Sequence, residues 1–436
     1  MVLTMRVPRI LPAAGASMLL IAAPLMAQNQ APPLGMTAAV TQAVETDPSV
    51  TEALAQLLEQ GEAVAVARSA YFPQVTVGTR SEFNSSLNRN VNVASVTASQ
   101  LLYDFNKTGS AVDQASAGKQ RRHAELLEAV DRVAEDTGNA VIEVQRNHAL
   151  LAVAEDQVQG VSSLVELTRR RARDGAAARS DVRQAAARQD AAAVVRSEIA
   201  SALADAMSRL RVYVPLDSPE VLDPDLPAPV ARACATVGDE IDDLPRMQAA
   251  RAVREEAKAQ RDAARAAGLP TVSLDLRVDR FFDSALDDQT ASSVLLNVRS
   301  DLFRGGANRA HQAAARYRQQ AADAAGESVH IRARQVLDDA RRTAADLQDR
   351  IATLERRIEH LAETRDLYRT QHLSLGTRSL LDLLNVEQEY HQARFDALNA
   401  VYDLRRIQVD CLASGGELRQ AFALDTTRVQ GVEVLP

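Results

Sequence analysis

Two heptad-patterned runs constrain this chain most: one leads from Ala307 to a turn at residues 373–385, the other returns to Cys411, and no proline interrupts either. On the outgoing arm Leu347, Ile351, Leu354, Ile358, Leu361 and Tyr368 recur at spacings of three, four and seven. On the return arm Leu383, Tyr390, Ala397, Leu404 and Cys411 stand seven apart, flanked by Val386, Ala393, Ala400 and Ile407. Such narrow seams belong to coiled coils whose arms zip along their length. At ~1.5 Å per residue the roughly sixty residues before the turn reach ~90 Å, more than a compact domain of this size encloses.

A similar rod occurs earlier. Val130, Thr137, Val144, Leu151, Val158 and Val165 repeat every seven residues up to the basic cluster Arg169 to Arg173, where the chain turns. The halves share further landmarks. Residues 67–77 align with residues 264–274, each a helix end, a proline (Pro73, Pro270) and an alternating strand; Gly175 precedes Asp181 by six residues, as Gly376 precedes Asp382. Landmarks that keep their order at this large offset mean a duplicated unit. The predicted organisation is a first repeat over 28–212 (helix, β-hairpin 73–104, helical hairpin with its tip near 172–181) and a Pro-rich connector over 213–236. A second repeat covers 237–411 (helix, β-hairpin 270–303, helical hairpin with its tip near 373–385), and a tail covers 412–436. The class is α+β. Gly175 and Gly376 read as tip-turn residues.

In the hairpins Val75, Val77 and Thr79 alternate with polar neighbours, a second run extends from Val91 to about Tyr103, a third from Thr271 to Asp279, and a fourth from Ser293 to Phe303. Alternating strands of roughly ten residues fit a tilted membrane-barrel strand, and four are too few to close a barrel, so closure requires several chains. Residues 1–27 have the basic start, apolar run and small final residue of a secretory signal. No later segment carries the ~18 apolar residues of a membrane helix. The formal charge of -8 argues against a nucleic-acid partner. Cys234 and Cys411 are too few for a disulfide framework, which leaves either one bridge or two small buried apolar residues. The seven histidines are scattered and no metal or phosphate motif occurs, so no catalytic residues, metal or cofactor are expected.

With its two Pro-led strands, the strand ends Leu102-Tyr103-Asp104 and Leu302-Phe303-Arg304-Gly305-Gly306, and residues 376–385 (GTRSLLDLLN), the chain resembles the outer membrane efflux protein family, the TolC-like channel-tunnels. The resemblance runs from about Thr37 to Gly415. It implies a homotrimer sharing a twelve-stranded barrel in outer-membrane lipid, with a helical tunnel across the periplasm and an equatorial or disordered tail. It also implies a periplasmic adaptor (membrane fusion protein) and an inner-membrane ABC or proton-driven transporter as partners, with proteins or small molecules as cargo. The tip is nearer in character to members serving type I secretion. The family's gate latch falls on Asp181 and Arg378, and its acidic pore constriction on Asp382 and Asn385, where the second acid is replaced by an amide. Leu373 stands where a gate tyrosine is expected. At an exposed tip the Arg169 to Arg173 cluster becomes a candidate contact for the adaptor. The family also brings the connector and the end of the last helix together near the mid-tunnel belt, where Cys234 and Cys411 could meet. The competing reading is an exported structural coiled coil or adaptor without a pore.

Overall fold

The computed structural model describes residues 33–84, 89–216, 222–282, 289–301, 303–424 and 428–434. The expected secretory signal lies outside them.

The chain opens with α1 (Met36–Thr46) and α2 (Pro48–Ser69), separated where Asp47 caps the second helix by accepting from Ser49 N–H at 2.8 Å and Pro48 supplies its first turn. Strands β1 (Gln74–Asn84) and β2 (Arg89–Tyr103) form the first hairpin. The rod α3 (Lys107–Arg173) returns as α4 (Arg179–Leu210). The connector is not wholly irregular: it holds α5 (Ala228–Thr236), begun on Pro227 and Pro229. The second half repeats the order with α6 (Pro245–Ala266), β3 (Thr271–Phe282), β4 (Gln289–Arg299), α7 (Ala307–Thr370), a π-turn at Gln371–Leu375 and α8 (Leu380–Gly415). At ~1.5 Å per residue the 67 residues of α3 extend ~100 Å.

Both long helices begin after two residues of left-handed backbone. In the second half these are Gly305 and Gly306, which take the conformation without a Cβ penalty; in the first they are Phe105 (φ 55°) and Asn106 (φ 68°). The strain at Phe105 is held by its edge-on contact with Tyr103, ring centroids 4.7 Å apart, and by buried Asp104, which accepts from Thr108 N–H at 2.7 Å. Lys107 Nζ then donates to Leu269 O (2.6 Å) and Thr271 Oγ1 (2.9 Å), tying the first junction to the start of the second hairpin.

The long helices form one layer. Around the tips the order is α4, α3, α8, α7; towards the sheet it is α2, α3, α6, α7, so α3 and α7 run the full length while shorter helices fill in beside them. The predicted seams are the contact surfaces: Leu354 packs with Ala397 and Ala400, and Leu383 and Val386 with Val161, Leu164 and Val165. The main core lies at mid-length, a belt where Met36, Leu126, Ile142, Leu337, Leu412 and Phe422 are fully buried. Each such side chain contributes about 1.5–3 kcal/mol by leaving water. The tail, expected as equatorial or disordered, belongs to this belt in its described part: α9 (Leu418–Ala421) and the small pair β5 (Arg428–Val429) and β6 (Val432–Glu433) bury Leu418, Phe422, Val429 and Val434. Cys234 of α5 and Cys411 of α8, with Cα atoms 5.3 Å apart, form a disulfide in the same belt.

The four long strands make one antiparallel sheet in the order β1, β2, β3, β4. Three boundaries differ from expectation. Strand β3 continues to Phe282, and β4 starts at Gln289 and stops at Arg299, short of Phe303. Residues before Ser293 pair with β3 because register propagates along the ladder even where side chains do not alternate cleanly.

Candidate functional site: the sheet faces and the helix tips

Cross-strand partners share a face, so the register sorts the sheet into two surfaces. One carries the rows Val75, Ala98, Leu276, Val294 and Val77, Val96, Val278, with Leu274 and Leu296 beside them. These side chains are exposed (Val77 72%, Val294 69%, Leu296 61%), an arrangement that water does not favour. The other face carries Arg80, Glu82, Asp275, Arg277, Asp279 and Arg299, with Ser99 Oγ donating to Asp275 Oδ1 at 2.5 Å and Arg277 paired to Asp279 at 3.2 Å. Val91 and Val93, which mark β2 as a strand in the sequence, lie on this mixed polar face; the apolar face of β2 is formed instead by Ala94, Val96 and Ala98.

The aromatic residues add a signal that the sequence contains but that alternation alone does not reveal. Of seven Tyr and eight Phe, Tyr71, Phe72, Tyr103, Phe105 and Phe303 ring the helix-side end of the sheet, and Phe83, Phe281 and Phe282 its far end. The eleven residue steps from Phe72 to Phe83, at ~3.3 Å each and tilted by about 40°, rise ~28 Å between the two groups, close to a bilayer's apolar thickness.

At the opposite end the two hairpins turn in the same way. Gly175 (φ +76°) and Gly376 (φ +63°) take the left-handed backbone that ends each outgoing helix, and the following N–H groups reach back to Arg171 O (from Ala176, 2.8 Å) and Gln371 O (from Thr377, 3.2 Å). Asp181 and Asp382 then occupy the third position of the return helices, and each carboxylate accepts from the N-cap N–H, of Ala178 and Ser379 respectively, at 3.3 Å.

Within one chain the remaining tip residues are satisfied separately. Arg378 donates from Nε to Gln371 Oε1 (3.1 Å) and stacks over Tyr368, 4.3 Å from the ring centroid. Asn385 Oδ1 accepts from Arg188 Nη2 at 3.3 Å, and Arg188 also reaches Gln388. Arg171 spans the two tips, donating to His372 O at 3.2 Å, while His372 Nδ1 donates to Arg378 O at 2.8 Å. Asp181 and Arg171 line one cleft of roughly 270 Å³ with His372 and Ser379. Among the described residues no ion pair joins Asp181 to Arg378 within the chain. Leu373 is half-exposed. Pro73 and Pro270 stand immediately before β1 and β3. The links through Arg171 and Arg188 escape sequence reading, because each joins residues about two hundred positions apart through a single side chain.

The belt holds carboxyls that burial raises. Burial pushes Asp131 up to about 6 although Arg419 Nη1 lies 2.5 Å away, and it also raises Glu135, beside Asp410, and Asp410 itself. Among the described residues no group of three or more His, Cys, Asp or Glu is placed to hold a metal ion, and no helix is long and apolar enough to cross a membrane.

A sheet with one apolar and one polar face between aromatic ends, carried on a layer of ~100 Å helices, is the fold of a channel-tunnel protomer. The profile of the family described as outer membrane efflux protein matches residues 39–214 and again 239–414, two segments at an offset of 200, and the chain belongs to that family. Protein CyaE of Bordetella pertussis is 27% identical over 406 residues, covering 88% of this chain and 84% of the relative. Among solved structures, the outer membrane protein VceC of Vibrio cholerae superposes with a TM-score of 0.77 at 18% identity, covering 87% of this chain and 96% of its own. The open-state outer membrane channel MtrE of Neisseria gonorrhoeae gives 0.73 at 19%, covering 87% and 88%. The CmeC outer membrane channel of Campylobacter jejuni gives 0.74 at 13%, covering 91% and 86%. At these identities the structural matches speak for the fold.

Proposed function

We propose that this protein is a passive trimeric exit duct of the outer membrane, gated at its helix tips. The observation that carries the reading is that every layer of the chain has two open edges. Among the described residues strands β1 and β4 are each paired on one side only, and the outer helices at the tips, α4 and α7, do not pack on each other. A sheet edge exposes unpaired backbone groups that lipid cannot satisfy, so a membrane sheet must close on copies of itself. Three chains supply twelve strands. The apolar face then meets lipid, the polar face lines the lumen, and the rods carry the conduit across the periplasm.

No step in this function needs chemistry from the chain itself. Energy enters from an inner-membrane ABC or proton-driven transporter through a periplasmic adaptor, and the tips open by shifting between two packings. Among the described residues Asp181 and Arg378 have partners only within their own hairpins, which leaves both able to meet a neighbouring copy as a latch. Asp382 contributes a ring of three carboxylates; Asn385, held by Arg188, makes the constriction less acidic than a doubled ring. The tip's likeness to members serving type I secretion favours polypeptide cargo.

The test is single-channel recording of the purified protein in planar bilayers together with its mass in detergent. A trimer with low, fluctuating conductance supports the duct. A water-soluble monomer that never conducts supports instead the poreless coiled-coil reading.

A further inference from the structure

The two outgoing rods differ in length by one residue. Both start from left-handed backbone, at Asn106 and Gly306, and both end on a left-handed glycine, but Gly175 follows Asn106 by 69 residues and Gly376 follows Gly306 by 70. Beyond the glycines the copies are in step again, with the capping carboxylates of Asp181 and Asp382 each six residues on. The surplus residue lies in the last turn of the second rod. Helix α3 stays α-helical to Arg173, and the bond that closes its end, from Ala176 N–H to Arg171 O (2.8 Å), spans five residues. Helix α7 is unbroken from Ala307 to Thr370; the π-turn Gln371–Leu375 follows, and the closing bond, from Thr377 N–H to Gln371 O (3.2 Å), spans six. A π-turn is how a helix with both ends fixed takes up one residue too many.

The turn sits where little packing opposes a change. The apolar seam of α7 reaches Tyr368, against the cluster that contains Leu164, Val165 and Leu383, whereas Leu373 within the turn is half-exposed and Ser374 is exposed. What the turn does hold is the tip. Gln371 Oε1 accepts from Arg378 Nε (3.1 Å), His372 O accepts from Arg171 Nη1 of the other hairpin (3.2 Å), and His372 Nδ1 donates to Arg378 O (2.8 Å). All three bonds come from the two residues that open the π-turn. If the turn anneals to α-helix, the surplus residue passes into the loop and the chain between Gln371 and Arg378 is redistributed by one position, ~100° around the helix axis. The clamp on Arg378 and the link from Arg171 depend on that register and are lost with it. Annealing exchanges one set of backbone hydrogen bonds for another, so the two forms lie close in free energy.

We propose that the π-turn at Gln371–Leu375 is a register switch built into the second tip alone. In the π form it clamps Arg378 and ties the two tips through Arg171; on annealing it releases both. The first tip lacks the extra residue and stays in one register, so the two hairpins of a chain are unequal, one fixed and one able to shift. That the shift acts on a gate rests on the duct reading. The switch itself does not, and it is measured on the purified full chain whether or not that chain conducts.

Backbone hydrogen exchange at the tips, corrected for intrinsic rates, reads the switch. Deleting Ser374 removes the surplus residue and should slow exchange across residues 371–378 about tenfold. Inserting one alanine after Ala172 gives the first rod the same surplus and should speed residues 170–177 by a similar factor; this variant decides the matter if the deletion does not fold. Gln371→Ala, which removes the clamp on Arg378, should speed the second tip further in the chain that keeps Ser374 and change nothing in the chain that lacks it. Exchange that ignores both changes of length overturns the switch, and an equal effect of Gln371→Ala in the two backgrounds reduces the turn to a static irregularity. In bilayers the protein lacking Ser374 should fluctuate less; an unchanged record beside slowed exchange would keep the switch and remove its part in gating.

Discussion

Asp181 and Asp382 hold the same position in two helices 201 residues apart, each accepting a hydrogen bond of 3.3 Å from the backbone N–H three residues earlier. The pair is the duplication made visible at one atom. It also shows where the copies have diverged. Ser379 Oγ returns the favour by accepting from Asp382 N–H at 3.1 Å, whereas Ala178 has no side-chain oxygen to offer Asp181. The first tip is therefore half-capped, and its return helix has the weaker start of the two.

Completing the cap should stabilise that tip. Ala178→Ser supplies the missing acceptor and is expected to add about 1 kcal/mol, read as a higher Tm, while Ser379→Ala should cost about the same at the second tip. No change in either variant would mean that the tips unfold before the step that limits stability.

If Asp181 also serves as a latch between copies, reversing its charge must open the resting gate. Asp181→Arg should raise resting conductance, and Arg378→Asp in the same chain should bring it back down. Each exposed pair contributes ~0.2–1 kcal/mol, so three bias the gate without locking it. Conductance that responds to neither change would reduce Asp181 to its capping role.

Much of this fold could be read beforehand. Heptads in α3, α7 and α8 are legible because a seam repeats over many turns, and the duplication because whole blocks keep their offset. Single-residue devices are harder. Phe105 and Asn106 adopt the backbone that Gly305 and Gly306 announce openly, but only the aligned junction gives the first pair away. In β2 the valines Val91 and Val93 suggest the wrong outward face, because β-branched residues favour strands on either surface and only the partner register decides. The tip residues could be named from the resemblance, but not their actual partners Gln371, Tyr368 and Arg188.

The belt should respond to pH in a definite direction. Burial raises Asp131 to about 6 and lifts Glu135 and Asp410, so these acids hold protons more tightly in the folded chain than in the unfolded one. For such groups stability is greater below the folded value and falls as the pH rises through it, since ionised carboxyls must then remain buried. Urea midpoints should be higher at about pH 5 than at about pH 7.5, and Asp131→Asn should flatten that slope.

The bridge between Cys234 and Cys411 ties the connector helix to α8 across a separation of 177 residues. Replacing both with serine should cost about 2–4 kcal/mol, mainly by freeing the unfolded chain. The loss should show as a lower midpoint with α5 and the tail exchanging hydrogens fastest.

The two sheet faces offer the sharpest test of where the protein works. Thr76 and Val77 are neighbours on β1 that point to opposite faces, Thr76 across from Thr97 and Val77 across from Val96. If the apolar face meets lipid, Val77→Lys places a charge in hydrocarbon and should cost about 2–4 kcal/mol near the midplane. Thr76→Lys, on the face with Arg80 and Asp275, should be nearly neutral. Refolding of the purified chain into lipid vesicles, followed by the appearance of assembled trimer, reads both. Equal losses would mean that neither face is special, and a chain that tolerates both lysines would have its apolar rows buried by something other than a bilayer.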